Sequence, residues 1–455
     1  MVFRSNNNIK RKFKKYSSRN NPWFNIYRPW LFWLLLVFSL SFFHSPGEAE
    51  NKVDFYLTNP QSRVNSSPEI LTLDRCLEIA LNHNPLVLSS YDQYQAALAR
   101  VNIARSFHQP SILLDYPTQP RMFSLNQSNE KYFWINQVIE FPGRCYLRTR
   151  SAAYEASENY QEVETTKLNL AYQVKEAFYN LLLAEEHLKY ARENFELTQK
   201  FADLVEVKYS AGEVSEAEVL RAKVELAKGQ VLVQQYETER QIGQARLNVL
   251  LGRDRSQPLE IKGDWKPSAL EINLEEAKEQ ALSQRPEIKK IEYSELRAEI
   301  QKKQAYLSYL PDFNLGFARH ELEGIKYWDF SLSFAVPLFF WQTRRGEVAE
   351  AEALIRAGQN EKKYWQHLIS LDVEEAYRQA LLYQDQIKLF EENMLSQSEK
   401  VYDMLLYSFK EGQISGLELI EARRTWLETR ITYAENLYQY AISLALLNKA
   451  MGKTR

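Results

Sequence analysis

A mainly helical chain with a small β part, assembled from two copies of one unit, follows from three features of the sequence. Glycine and proline are scarce, 14 and 15 in 455 residues, so turns are few and elements are long. Apolar residues recur at heptad spacing through two very long stretches, the pattern of antiparallel helical hairpins with coiled-coil seams. Short segments of period-two alternation interrupt the helices at the same place in each half.

At the N-terminus the one strongly apolar stretch is Trp30 to Phe43, preceded by eight Lys and Arg and by no Asp or Glu. Small residues Gly47 and Ala49 follow, so residues 1–49 read as a secretory signal with a long basic leader, cleaved after Ala49. The same leader also suits an uncleaved anchor, and export is the outcome either way. Beyond it no apolar run reaches the ~18 residues that a membrane helix needs, and mean hydropathy is −0.47. The mature chain carries 49 Lys and Arg against 58 Asp and Glu, a net of −9, which argues against a nucleic-acid surface. Cys76 and Cys145 fall near opposite ends of the rising helix. A disulfide needs Cα atoms within about 7 Å, so two free thiols are expected.

The chain contains itself twice. Leu73, Ala80, Leu81 and Pro85 recur as Leu274, Ala281, Leu282 and Pro286, and Pro110 recurs as Pro311. Tyr209, Gly212 and Ser215 recur as Phe409, Gly412 and Ser415, and Leu251-Gly252 as Met451-Gly452. This predicts an N-terminal linker at 50–70, a first repeat at 71–253, a linker at 254–271 and a second repeat at 272–453. In each repeat a short helix breaks at Pro85 or Pro286, which starts the next helix. A β-hairpin follows, at about 111–141 and about 312–337, and then an almost unbroken helical pattern of about 60 residues. It pauses at Gly212 or Gly412 and returns as a helix ending at Gly252 or Gly452. The seam of the first long helix is Ala177, Leu181, Ala184, Leu188, Ala191, Phe195, Thr198, Ala202, Val205 and Tyr209. That of the second is Ala376, Ala380, Tyr383, Ile387, Phe390, Met394, Gln397, Val401, Met404 and Ser408. On this pattern alone a periplasm-spanning coiled-coil spacer without channel activity stays open.

The strands favour a duct. Trp328, Phe330, Leu332 and Phe334 fall on one face of a ten-residue segment, with Asp329, Ser331 and Ser333 on the other. This is the length and alternation of a membrane β-strand with a lipid face and a water face. Phe133 and Ile135 read as lipid-facing in the first repeat, and Asn136 and Glu140 as lumen-facing. The hairpin partners, around Ile112 to Tyr116 and Phe313 to Phe317, look shorter. Four strands cannot close a barrel and a spanning sheet cannot leave edges open, so several copies must share one barrel.

Residues 71–453 resemble the TolC-type outer-membrane efflux family. The likeness rests on Ala80-Leu81 with Asn84-Pro85, the aromatic-x-x-Gly-x-x-Ser turns at Tyr209 and Phe409, Glu418-Leu419-Ile420-Glu421-Ala422, and the terminal Leu-x-x-x-Gly. The run Gln137 to Arg144 resembles the heavy-metal cation branch. The resemblance implies a homotrimer with a shared twelve-stranded β-barrel in outer-membrane lipid and a long α-barrel through the periplasm. It implies a periplasmic adaptor docking at the Tyr209/Gly212 and Phe409/Gly412 turns, and an inner-membrane efflux pump as energy source. Glu418 and Glu421 fall where related ducts narrow the pore entrance with acidic residues. Ile414 departs from the pattern, standing where some relatives carry a basic residue. Heavy-metal cations or small toxic compounds are the implied cargo; a duct for protein secretion is the alternative. The plainer readings are a turn glycine with no partner and a solvated acidic helix face. No phosphate loop, HExxH, G-x-S-x-G, clustered metal ligands or cofactor motif appears, so neither catalysis nor a cofactor is expected.

Overall fold

Each repeat opens with a corner whose polar groups are tied to the far end of the same repeat. In this computed structural model, which describes residues 69–117, 130–263, 265, 270–322, 324–335 and 340–454, strand β1 (Glu69–Leu71) leads to α1 (Leu73–His83) and α2 (Pro85–Arg105). The signal segment, nearly all of the 50–70 linker, Val336, Pro337 and the side chain of Trp341 lie outside the described residues. At the corner Asn84 accepts the Leu86 N–H at 2.8 Å and donates to the Leu250 carbonyl at 2.8 Å. In the second repeat Arg285 takes that place, between α5 (Leu274–Gln284) and α6 (Pro286–Leu307). It donates to the Lys449 carbonyl at 3.2 Å and pairs with Asp372 at 3.2 Å. A neutral cap in one repeat has become a charged staple in the other.

The first long helix, α3, runs unbroken from Arg144 to Ser210, 67 residues, or about 100 Å at 1.5 Å per residue. It returns as α4 (Glu216–Leu250), which is followed by strand β4 (Leu259–Ile261) pairing parallel with β1. The second long helix is interrupted. Helix α7 (Phe340–Leu389) passes through a π-helical segment, Phe390–Met394, into α8 (Leu395–Lys410) and returns as α9 (Gly416–Ala450).

That interruption has a sequence cause. Buried Leu170, Val174, Ala177, Leu181 and Ala191 of α3 answer to buried Ile369, Val373, Ala376, Ala380 and Phe390 of α7, each 199 positions on. At the tip the partners Tyr209 and Phe409 stand 200 apart. The second helix therefore holds one extra residue, and a π-turn is how a helix absorbs one. The insertion shifts the seam. Before it the expected heptad positions are buried or half-buried. Beyond it Met394, Gln397, Val401 and Met404 are exposed, and Tyr402 and Phe409 are buried instead. The heptad expected for the second helix holds only as far as Phe390.

Cores repeat with the chain. Cys76, Ala80, Val174, Ala177, Leu247 and Leu251 pack together in the first repeat, and Ala277, Ala281, Val373, Ala376, Leu447 and Met451 in the second. Cys76 is buried, Cys145 is half-buried, and neither forms a disulfide. Helix α3 packs on α2 and α4 of its own repeat and on α6 and α9 of the other, whereas α7 packs chiefly on α6 and α9. At the α3–α9 contact the Arg430 guanidinium lies over Tyr190 and Trp426, 4.2 and 4.7 Å from the ring centroids, and pairs with Glu193 at 2.8 Å.

The strands β2 (Ser111–Asp115), β3 (Glu130–Ile139), β5 (Phe313–Leu322) and β6 (Ile325–Phe334) form one antiparallel sheet in the order β2-β3-β5-β6. Strand β5 has the full ten residues, longer than the alternation of Phe313, Leu315 and Phe317 suggested. Its continuation through Ala318 and His320 pairs with Asp329 and Tyr327.

Candidate functional site

Two regions carry the candidate residues: the tip where both long hairpins turn, and the sheet at the other end of α3 and α7. Both hairpins turn by one device. The Gly212 N–H donates to Tyr209 O at 2.9 Å and Glu213 N–H to Lys208 O at 2.9 Å; Gly412 N–H donates to Phe409 O at 3.1 Å and Gln413 N–H to Ser408 O at 2.9 Å. These are the paired bonds of a Schellman cap, which needs a left-handed residue. Gly212 and Gly412 supply it with φ of 78° and 72°. A Cβ at either would meet nothing within 4 Å, so backbone conformation alone demands glycine there.

Side chains from both hairpins share one apolar core at the tip, including Phe201 and Val205 from α3, Val219 from α4, Phe409 from α8 and Leu419 from α9. Phe201 and Phe409 meet with ring centroids 5.4 Å apart, and Tyr402 stacks on Trp426 at 5.3 Å. The two aromatic turn residues therefore differ. Tyr209 is 43% exposed and available to a partner, whereas Phe409 is 2% exposed. Phe409 holds one turn against the other and offers no docking surface, which corrects the expectation from its motif. Ser415 caps α9, accepting the Glu418 N–H at 3.5 Å and donating to Glu418 Oε1 at 3.2 Å. Glu418 and Glu421 are exposed on the first turns of α9. Glu421 pairs with Arg424 at 3.2 Å, which offsets part of its charge.

One residue at the tip escaped the sequence reading. Arg423 is 6% exposed. Its spacing from Leu419, Ile420 and Trp426 places it on the apolar face of α9, a signal legible in the sequence but hidden by its neighbours Glu421 and Arg424. Burial pushes its guanidinium pKa below the ordinary value.

The sheet separates its residues as alternation demands. On one face lie Phe133 and Ile135 of β3, Phe313 and Phe317 of β5, and Trp328, Phe330, Leu332 and Phe334 of β6. On the other lie Asn136, Asn314, Gly316, Ser331, Ser333 and Asp329. The polar face is crowded at Gly316, where a Cβ would stand 2.7 Å from Asn136 Oδ1. His320 is stacked between Tyr132 and Tyr327 at 5.0 and 4.9 Å, and its Nδ1 lies 2.6 Å from Asp329 Oδ2. On the apolar face Arg319 lies under Trp328 near the loop end, with its guanidinium 5.6 Å from the ring centroid. Glu140 is not part of this surface. It follows the last residue of β3 and pairs with Arg148 and, at 2.9 Å, with His108 at the junction of strand and helix. Arg144 acts at the same junction, pairing with Asp312 at 2.5 Å.

The family model described as "Outer membrane efflux protein" matches residues 76–253 and again 277–453. The chain belongs to the outer membrane efflux protein family. It is accordingly an outer-membrane efflux channel and not an enzyme, with its long helices as the periplasmic extension. Among curated relatives it is similar to the cobalt-zinc-cadmium resistance protein CzcC of Cupriavidus metallidurans. The two are 23% identical over 405 residues, covering 84% of this chain and 90% of CzcC. The fold is shared with the CmeC outer membrane channel of Campylobacter jejuni (TM-score 0.72, 16% identity, covering 84% of this chain and 85% of CmeC). It is shared also with the outer membrane protein VceC of Vibrio cholerae (TM-score 0.71, 16% identity, covering 84% of this chain and 96% of VceC). The two family matches cover all but the first few residues of each repeat, so tip and sheet both belong to the matched segments.

Proposed function

We propose that this duct works as a homotrimer in which three copies of four strands close a twelve-stranded barrel, with their helices forming one tube below it. The open sheet carries this reading. Strands β2 and β6 are its outer edges, and no further strand pairs with them among the described residues. A sheet in lipid cannot leave such edges unbonded, so neighbouring copies must supply the missing partners. On this reading Phe133, Ile135, Trp328, Phe330, Leu332 and Phe334 face lipid, while Asn136, Asp329, Ser331 and Ser333 line the lumen.

The helices support the same closure. Helix α3 touches α6 and α9 of the second repeat, and the equivalent partners for α7 are α2 and α4 of the next copy. Both α7–α8 and α4 present exposed apolar residues suited to that contact: Leu389, Val401 and Met404 on one side, Leu220, Val224 and Val231 on the other. Such a head-to-tail contact closes into a ring.

A periplasmic adaptor docks at the tip, where Tyr209 and the Gly212 and Gly412 turns are exposed, and an inner-membrane pump drives transport. Glu418 and Glu421 from three copies ring the entrance and favour cations. Divalent heavy-metal cations are the cargo this reading names, supported by the likeness to CzcC, a cobalt-zinc-cadmium resistance protein. Purified mature chain in planar bilayers is expected to give discrete, cation-preferring conductance at a mass of three copies. A non-conducting single chain would overturn the duct assembly. A conducting trimer whose loss leaves cobalt, zinc and cadmium tolerance unchanged would overturn the cargo alone.

A further inference from the structure

Just inside the tip, between α3, α8 and α9, lies a pocket of about 140 Å³ with an unusual charge balance. Its walls are apolar and aromatic, with Phe201, Tyr402 and Leu419 among them, and every charged group lining it is basic: Lys200, Lys410 and Arg423. Arg423 is more than nine-tenths buried. It makes neither a hydrogen bond nor an ion pair among the described residues, and its guanidinium lies 5.9 Å from the centroid of the Phe201 ring. Glu225, the carboxylate that acts on it from a distance, is already held by Lys228 at 2.8 Å and faces Arg424 at 3.9 Å. Lys200 and Lys410 likewise form no ion pair among the described residues.

An arginine stays protonated in proteins, so this burial sets a full charge against an apolar wall with no counter-ion. The arrangement is costly in the isolated chain and favourable once a carboxylate enters. We propose that the pocket receives an acidic side chain, Asp or Glu with apolar neighbours, from the periplasmic adaptor that docks at the tip. This rests on the reading of the tip as the docking end. Charge complementarity selects the acid, and the pocket size admits one carboxylate side chain with an apolar neighbour. Lys410, the last residue of α8, lies two residues before Gly412 and sets the pocket beside the second glycine turn. The contact would add to docking a charge-specific lock that the turns, made of backbone bonds, cannot provide.

The test is a charge-swap selection in cells carrying the full duct with the adaptor of its own efflux system. Arg423→Glu is expected to weaken adaptor retention after in-cell crosslinking by about a hundredfold, as loss of a buried pair does. Arg423→Lys should recover much of it. In both variants the heat-modifiable trimer in the outer membrane serves as the control for folding. Random Asp/Glu→Lys substitutions in the adaptor are then screened for restored retention by the Arg423→Glu duct. A suppressor at one acidic position of the adaptor's tip would establish the contact. Suppressors only within the duct would assign the pocket to a second copy and overturn the proposal, as would full retention by Arg423→Glu. Gly412→Val separates the two readings. If it abolishes retention while Arg423→Glu does not, the tip docks an adaptor but the pocket plays no part; if neither variant matters, the docking reading itself fails.

Discussion

The two long helices of this duct descend from one pattern yet have come to differ by a single residue. Helix α3 runs 67 residues without a break, and its buried seam holds from Leu170 to Val205. The second helix starts in step with it, gains one residue in the π-turn at Phe390–Met394, and reaches the tip with its apolar face rotated. One residue turns a helix by about 100°. Tyr402 and Phe409 thereby face Phe201 and Trp426 inside the chain, while Val401 and Met404 face outward. The lesson is that a duplicated unit need not use its two copies alike. One seam is completed within the chain, and the other stays exposed on it, where the proposed trimer would bring a neighbour.

Deleting Asn393 attacks this difference most directly. It should restore a continuous α-helix and swing Tyr402 and Phe409 out of the tip core, costing on the order of 3–5 kcal/mol for each aromatic removed. Amide exchange across residues 402–426 is expected to lose protection, and unchanged protection would mean that the bulge does not set the register. A gentler comparison uses equivalent positions above the bulge. Phe178 is 1% exposed in the first repeat, whereas its counterpart Tyr377 is half-buried. Phe178→Ala should cost about 3–5 kcal/mol and Tyr377→Ala about half that, read from denaturation midpoints.

The sheet sets the apolar face against the polar one. Phe330→Arg is expected to penalise insertion into lipid vesicles by about 2–4 kcal/mol, and Ser333→Arg by much less. Equal penalties would deny that the two faces meet different solvents. Smaller still, Gly212→Val and Gly412→Val should each cost about 1–2 kcal/mol in thermal unfolding, because φ is the only demand at either site. A marked inequality would show that the tips are not equivalent. Least of all, Glu421→Ala should move stability by no more than about 0.5 kcal/mol, since its partner Arg424 is exposed with it.

Much of this fold was legible because its causes are local. Period two at Trp328–Phe334 gave the strand and its faces, Pro85 and Pro286 gave helix starts, and Gly212 and Gly412 gave the turns. What stayed hidden depends on contacts between distant segments. Tyr209 and Phe409 occupy one motif, and only the packing of one hairpin on the other decides which is covered. Glu140 continues the alternation of β3, but the backbone pairing ends at Ile139, and Glu140 pairs with Arg148 and His108 at the junction. The extra residue near Phe390 was present in the two repeat offsets, yet it became visible only when burial showed where the register changes. Arg423 was masked by a charged neighbourhood, although its spacing was that of a core residue.

The claim that the second seam is completed by a neighbouring copy can be tested with one disulfide. Phe201 and Ile420 share the tip core within a chain, and their equivalents, Val401 and Leu220, are both exposed. With Cys145 replaced by alanine, the double variant Val401→Cys, Leu220→Cys is oxidised in outer membranes and run on a denaturing gel. Closure of three copies predicts covalent dimers and trimers and nothing larger, with neither single variant forming a ladder. A chain that remains monomeric on oxidation, or a ladder that runs past three, would contradict it.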